Sequence, residues 1–454
     1  MQNRVTHRAQ RAAVMGAMAL VLTACGAQDV LLEQQQPQII LPNDAANTAG
    51  ALGLYAGALG QMRFALNGGN NNQEQMWAFE GLFTDEFKSG DTFSQRNDAD
   101  QRITQTGDGV MAPTYNGVQQ ARGRARDAIN SLKLYSPTST EQIGEMYMMM
   151  GFMEMTLGQN FCNGIPLGET VNGAPIYTKP LTNIEVFTQA IARYDSALTF
   201  LTGTDAKSVN VKNATLVAKA RALVNLGQFS AAAALVGGVP SADVYLMTFS
   251  IPTQSNEWWQ MATNTKRYTV GDSFDVTGVI QGALPFASAN DPRVKVGKGA
   301  KSFDNITPFF EAQNWGREDP VPLISGLDAR LIEAEAKLQA NDIAGTMTIL
   351  NALRAAPPKQ GNVAPTAMAA LATPATQAAA VDLYFREKAF WQFGRGERLS
   401  DERRLVRQYG RTMTQVYPSG PFHKGGNYGT LTAFPVPDAE KSNQLFTGCI
   451  DGKA

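Results

Sequence analysis

The residues with the most to offer chemically are aromatic and polar side chains that share irregular stretches of chain. Trp77, Phe93 and Arg96 fall in one such stretch, and Asn256, Trp258, Trp259, Arg267, Tyr268 and Trp315 in another. Sugars present flat apolar C–H faces edged by hydroxyls. An indole or phenyl ring covers such a face, while Asn and Arg bind the hydroxyls. These residues are therefore the candidate ligand contacts. Trp258 and Trp259 are adjacent, and neighbours on an extended chain point to opposite sides. One is expected to anchor its loop and the other to face outward, with Arg267 and Tyr268 nearby. Trp391 lies in a charged, helix-patterned stretch and reads as core.

Catalytic constellations find little support. The chain has two His, His7 and His423, and His7 lies in an N-terminal export segment. One remaining His gives a Ser-His-Asp arrangement or a His-rich metal site little to draw on. Glu333 and Glu335 are two apart, so they point to different sides of a helix. A glycosidase needs two carboxylates facing one cleft. The strip from Arg386-Glu387-Lys388 to Arg403-Arg404 alternates in sign around Phe385, Phe390, Trp391 and Phe393. That pattern reads as a helix held by ion pairs near its ends, not as a catalytic centre. Asp98, Asp100 and Asp108 lack the spacing and glycine of a calcium loop. No phosphate loop or dinucleotide fingerprint occurs. The expectation is a protein that binds without chemistry, with no cofactor and no metal.

The N-terminus says where it works. Arg4, Arg8 and Arg11 precede an uncharged apolar run, Ala12 to Val21, closed by Leu22-Thr23-Ala24-Cys25. This reads as a signal peptide, residues 1–24, with a lipobox in which Cys25 is expected to become the lipidated first residue. Gly26 in place of Asp favours the outer membrane by resemblance to bacterial sorting patterns. Losing three arginines leaves 36 cationic against 40 acidic side chains, a net charge of −4. Such a chain is a poor nucleic-acid binder. Nothing after Cys25 is long and apolar enough to span a bilayer. Two further cysteines remain, Cys162 and Cys449. In an exported chain an even pair suggests a disulfide, with two buried free thiols as the alternative.

Elements must position the candidate residues. Residues 25–42 read as a polar tether. Asn43 is a candidate cap for a helix over 44–66, with Ala49, Leu52, Tyr55, Leu59, Met62 and Leu66 on its apolar face. Residues 73–110 lack a sustained period, and helical spacing returns from Tyr115 to Leu134. Ala220-x6-Gly227-x-Phe229-x2-Ala232 resembles the tetratricopeptide hairpin of about 34 residues, and Gly151-x6-Gly158 matches its first half. Thr182-x-x-Glu185 forms a capping box. Residues 43–454 read as one mostly α domain, a solenoid of helical hairpins with insertions near 67–113, 241–326 and 356–378. Solenoids gather insertions on one face, often the binding face.

Two C-terminal blocks carry a family resemblance. The first is Leu327-Asp-Ala-Arg330-Leu-Ile-Glu333-Ala-Glu335-Ala-Lys-Leu338 with Ile349-Leu-Asn351-Ala-Leu-Arg354. The second is Phe385-Arg386-Glu387-Lys388, Phe393-Gly-Arg-Gly-Glu397-Arg398, Asp401-Glu-Arg403-Arg404 and Phe434-Pro-Val-Pro437-Asp-Ala-Glu440-Lys-Ser-Asn443. In this order they resemble the SusD/RagB family of nutrient-binding outer-membrane lipoproteins. The resemblance implies a SusD-like helical scaffold at the cell surface. It also implies capture of an oligosaccharide or oligopeptide, and delivery to a SusC-like TonB-dependent transporter. It names no binding residue. Two other readings stand beside it: a lipid-anchored repeat scaffold for outer-membrane protein assembly, and a surface glycoside hydrolase.

Overall fold

The computed structural model describes residues 46–69, 75–171 and 174–453. The signal segment, Cys25, the tether and Asn43 lie outside the described residues. Among the described residues the helices of seven residues or more are α1 (Thr48–Leu66), α2 (Met76–Phe83), α3 (Ser94–Asp100), α4 (Met111–Tyr135), α5 (Thr140–Asn160), α6 (Asn183–Phe200), α7 (Ala206–Asn225), α8 (Phe229–Val236), α9 (Gly326–Gln339), α10 (Ile343–Ala355), α11 (Gln377–Trp391) and α12 (Arg398–Tyr409). The long ones stack pairwise, α1 on α4, α4 on α5, α5 on α6, α7 on α8, α8 on α9 and α9 on α10. The architecture is the expected solenoid of helical hairpins.

A glycine stripe sets how closely α5 and α6 approach. Gly144, Gly151 and Gly158 recur every seventh residue on α5. A methyl group added at each would stand 2.7 Å from Leu201, 2.9 Å from Tyr194 and 2.9 Å from Phe187, which also step by seven along and just past α6. The rings and the leucine occupy the space that side chains on α5 would need. The return helix is fixed at its start by the capping box, with Glu185 N–H donating to Thr182 Oγ1 at 3.2 Å and Thr182 N–H donating to Glu185 at 2.7 Å.

Two expectations are corrected. The helix α1 is capped by Asn47 and buries Ala51, Ala58, Met62, Ala65 and Leu66, while Leu52 is exposed and Ala49 faces solvent. Small residues face α4 because the two helices lie close, and Gly117 of α4 sits against Ala65. The stretch 73–110 holds α2 and α3 rather than loop alone. Every residue of α2 is buried, its one charged residue Glu80 included, and a helix buried on all sides has no apolar period to detect.

The strands are short and, among the described residues, pair only in twos. Those named below are β1 (Phe87–Ser89), β2 (Glu169–Val171), β3 (Ala174–Ile176), β4 (Val244–Met247), β5 (Tyr268–Val270), β6 (Phe274–Asp275), β7 (Gly278–Val279), β8 (Val296–Lys298), β9 (Phe310–Ala312) and β10 (Val321–Ser325). Antiparallel pairs join β1 to β5, β2 to β3, β4 to β10, β6 to β7 and β8 to β9. Most of the second insertion is thus a set of strand pairs laid against the helices.

The charged strip at α11 and α12 is buried, not a solvated surface. Arg395 forms a two-pronged pair with Asp328 at 2.9 and 2.7 Å, and Arg398 does the same with Asp85 at 2.6 and 3.0 Å. Lys388 and Arg404 share Asp401 at 2.6 and 2.9 Å, Arg293 and Arg354 share Glu387 at 2.7 and 3.0 Å, and Arg404 also reaches Glu335. Charges this deep persist only when paired and hydrogen-bonded. They join α9, α11, α12 and the segment before β1. Among the described residues no helix is long and apolar enough to cross a membrane.

Candidate functional site

Most of the aromatic candidates turn inward. Trp77, Trp258, Tyr268 and Trp315 are buried. Trp258 stacks on Phe87 at 4.3 Å and on Trp315 at 5.9 Å, and Trp315 stacks on Phe393 at 6.2 Å. The Trp258 indole N–H donates to the Gly394 carbonyl at 2.7 Å. Gly394 and Gly396 adopt φ of +67° and +66°. A methyl on Gly394 would stand 2.5 Å from Trp315, and one on Gly396 would collide with Trp77. The Phe-Gly-Arg-Gly motif is therefore the seat on which these tryptophans pack, and the rings are core, not ligand contacts. Asn256 is also structural. It is buried, accepts from the Trp258 N–H at 3.0 Å and donates to the Asp319 carbonyl at 3.0 Å.

The adjacent tryptophans do differ in exposure, but the reason is a helical turn, Glu257–Trp259, and not an extended strand. Trp258 is buried while Trp259 is partly exposed, with the Arg317 guanidinium 5.2 Å from its ring centre. Tyr268 is buried away from solvent and does not join it.

Three candidates are brought together, and Asp91 is what gathers them. Its carboxylate pairs with Arg96 and with Arg267, the latter at 2.6 Å, and its backbone carbonyl accepts from Lys424. The Arg96 guanidinium lies 5.4 Å from the Phe93 ring centre, and that of Arg267 lies 3.9 Å from the Phe303 ring centre. Arg96 is buried and acts from beneath, as a support rather than a contact. Phe93 and Phe303 are 45% and 43% exposed. The result is a surface with two open phenyl rings beside partly exposed guanidinium. Main-chain bonds hold its two loops together: Gly90 N–H to the Arg267 carbonyl at 2.7 Å, and Asp304 N–H to the Gly90 carbonyl at 2.9 Å.

Asp91, Phe303 and Lys424 escaped the sequence reading. The available signal was Phe303-Asp304-Asn305, an aromatic at a turn. Asp304 accepts from the Ile306 and Thr307 amides at 2.9 and 2.8 Å, which closes the turn and holds Phe303 outward. Lys424 pairs with Asp304 at 2.9 Å. Burial alone would raise the Asp304 carboxyl, but the Thr307 hydroxyl, those amides and Lys424 hold it down at about 2.

The same turn leads into a cleft of about 330 Å³ lined by Val270, Phe274, Val276, Ile306, Pro308 and Phe310. Phe274, Val276 and Ile306 are exposed. Lys88 and Asp275 pair at 3.3 Å on its rim. Burial would raise Asp275, but the Thr277 hydroxyl and Lys88 hold it low and ionised. His423 also borders the cleft, with its Nε2 3.4 Å from the Asp100 carboxylate. Burial, then the Lys88 charge, pushes its pKa down to about 4, so it is neutral at pH 7. Among the described residues no group of three His, Cys, Asp or Glu side chains is placed to hold a metal ion. Stacking on apolar faces, flanked by fixed charges, is what this arrangement does best.

No family model and no curated protein matches the chain. Solved structures do. A SusD superfamily protein from Bacteroides vulgatus superposes with a TM-score of 0.61 at 14% identity, covering 89% of this chain and 99% of its own. The fold is SusD-like. A SusD-like carbohydrate binding protein from Bacteroides fragilis matches with a TM-score of 0.63 at 12% identity, covering 88% of this chain and 99% of its own. A SusD/RagB family protein from Bacteroides thetaiotaomicron gives 0.60 at 12%, covering 87% and 94%. The SusD-like scaffold here is held by the ion pairs of α11 and α12 and by the tryptophan seat, and it carries the Phe93–Phe303 surface on its insertions.

Proposed function

We propose that this SusD-like protein captures an oligomeric nutrient at the cell surface, a glycan ahead of a peptide. In this reading lipid on Cys25 holds it to the outer membrane, and it passes its ligand to a SusC-like TonB-dependent transporter. The observation that carries the binding role is the pair of exposed rings, Phe93 and Phe303, with Arg267 fixed beside them by Asp91. Rings flanked by a guanidinium suit a sugar face and its hydroxyls. Two of the structural neighbours are described as carbohydrate binding proteins, which favours a glycan. The apolar cleft beside the rings is where a peptide side chain would lodge.

Binding without turnover fits the site better than hydrolysis. The displaced carboxylate on the cleft rim, Asp275, is held low, and Asp100, which burial raises to about 7, is buried beside His423 and does not line the cleft. A glycosidase acid needs a carboxyl held protonated at its working pH. The test is calorimetric titration with a panel of defined oligosaccharides and oligopeptides, followed by chromatography of each mixture. Binding of a panel oligosaccharide with no cleavage is the expected result. Cleavage of any member would make the protein a hydrolase, and peptide binding alone would replace the glycan.

A further inference from the structure

We propose that a second, polar cleft, between α4 and the β2–β3 hairpin, binds a hydroxylated oligomer segment independently of the Phe93–Phe303 surface. The cleft has a volume of about 550 Å³, within the few-hundred to 1,000 Å³ typical of small-molecule sites. Its floor is one face of α4, where Asn116, Gln120 and Arg124 stand four residues apart. Residues at this spacing line one side of a helix. Neighbouring polar residues are already committed. Gln119 donates to Tyr115 and to the Pro166 carbonyl and accepts from Arg122, and Asn443 donates to the Thr178 carbonyl and accepts from Leu445. The side chains of Asn116, Gln120 and Arg124, by contrast, make no hydrogen bond or ion pair with any described residue. An amide offers both donor and acceptor, and a guanidinium offers donors in a fixed fork. Together they present unspent capacity of both kinds along one trough.

The opposite wall supplies an apolar face. Tyr177 is 45% exposed at the end of the β2–β3 hairpin and lines the cleft. Gly123 lies in the floor between the polar residues, and a methyl added there would meet nothing within 4 Å. The trough is therefore open where a chain would run. Its charges balance in number, three arginines (Arg122, Arg124 and Arg126) against three carboxylates (Asp127, Glu169 and Glu440). That balance disfavours an anionic or cationic ligand and leaves hydroxyls as the groups these side chains serve. A neutral oligosaccharide meets all of these conditions.

Gly123 also provides a clean variant. It sits inside a helix, where most other residues are better helix formers than glycine, so Gly123→Trp fills the trough without straining the backbone. The experiment titrates one panel of neutral oligosaccharides, by calorimetry at millimolar ligand, into wild type, Gly123→Trp, Tyr177→Ala and Phe303→Ala, and into the first two variants each combined with Phe303→Ala. Expected is binding that survives in Phe303→Ala and falls at least tenfold when Gly123→Trp or Tyr177→Ala is added to Phe303→Ala, while Gly123→Trp alone keeps the binding of the aromatic surface, all with unchanged unfolding midpoints. Binding to Phe303→Ala that is indifferent to the added Gly123→Trp and Tyr177→Ala, or no binding of any member to Phe303→Ala, overturns the second site. If wild-type binding is untouched by Phe303→Ala yet abolished by Gly123→Trp, this cleft is the ligand site and the aromatic surface is not.

Discussion

Glu257 is wholly buried, and neither of its carboxylate oxygens has a hydrogen-bond partner among the described residues. Burial raises its pKa to about 8, with the Arg96 charge opposing. The folded protein thus keeps it protonated while the unfolded chain ionises near pH 4.5. Its contribution is fully present below pH 4.5 and is lost as the pH rises towards 8, because the unfolded state then binds fewer protons. Glu257→Gln removes that loss. The variant should gain stability relative to wild type between pH 5 and pH 8, on the order of 2 kcal/mol, read from urea midpoints at the two values. An equal difference at both would show the carboxyl to be ionised in the fold. Gly396 makes a second residue-scale prediction. Its φ of +66° and the Trp77 ring against its Cα leave no room for a methyl, so Gly396→Ala should cost about 3 kcal/mol or more. A shift in unfolding midpoint below a third of that would mean that Trp77 moves aside. At this scale the sequence was a partial guide. It shows which rings lie in irregular chain, but not that a Phe-Gly-Arg-Gly turn far along the chain buries three of them. Trp77, Trp258 and Trp315 look identical to surface rings until that turn is placed.

The hairpin of α5 and α6 tests the argument for the helical elements. In a solvent-exposed helix, replacing glycine by alanine stabilises by about 0.5–1 kcal/mol. Gly151 faces Tyr194, the Ala190 carbonyl and the Arg193 side chain at 2.9, 3.1 and 3.1 Å from an added methyl. Gly151→Ala should therefore destabilise, and Gly151→Leu should cost about 3 kcal/mol by overpacking, measured by thermal unfolding. A neutral or stabilised Gly151→Leu would show that α6 is free to slide. Some elements were legible because their signals are local. The capping box at Thr182 and the hairpin at Gly227 depend on a few residues close in sequence. The inner face of α1 was not legible, since nearly all of its faces carry apolar or small residues and only contact with α4 selects among them. The fully buried α2 was hidden for the same reason. The charged stretch of α11 and α12 was readable as ion-paired, but its partners Asp85, Glu335 and Arg293 lie far away in sequence, so its burial was not.

Across the whole molecule, one covalent link joins distant parts. Cys162 leaves α5 and bonds Cys449, closing a loop with a sequence separation of 287 residues and a Cα–Cα distance of 6.0 Å. Parallel contacts reinforce it, since the Cys162 N–H donates to the Phe434 carbonyl at 2.8 Å and the Ile450 N–H to that of Asn163 at 2.7 Å. In the chain-entropy model a loop of this size is worth on the order of 5 kcal/mol. Cys162→Ser/Cys449→Ser should lower stability by an amount of that order, and alkylation of the exported wild type should label neither residue before reduction. Attachment is expected to rest on Cys25 alone, so Cys25→Ala should release the protein from membranes in fractionation when no transporter is present, and retention there would contradict it. The scaffold was the most legible level, because hairpin spacing and the two C-terminal blocks repeat a pattern longer than any single loop. The proposed binding surface was the least legible. Of its parts only Phe93, Arg96 and Arg267 were picked out, and Asp91, Phe303 and Lys424 meet them solely through the fold. The most direct measurement of the central claim is a crystal structure with an oligosaccharide that the protein binds in solution. The account predicts a sugar ring stacked on Phe303 or Phe93, with a hydroxyl accepting from Arg267. A sugar seated on Trp259 and Arg317 instead, with both phenyl rings bare, would contradict it.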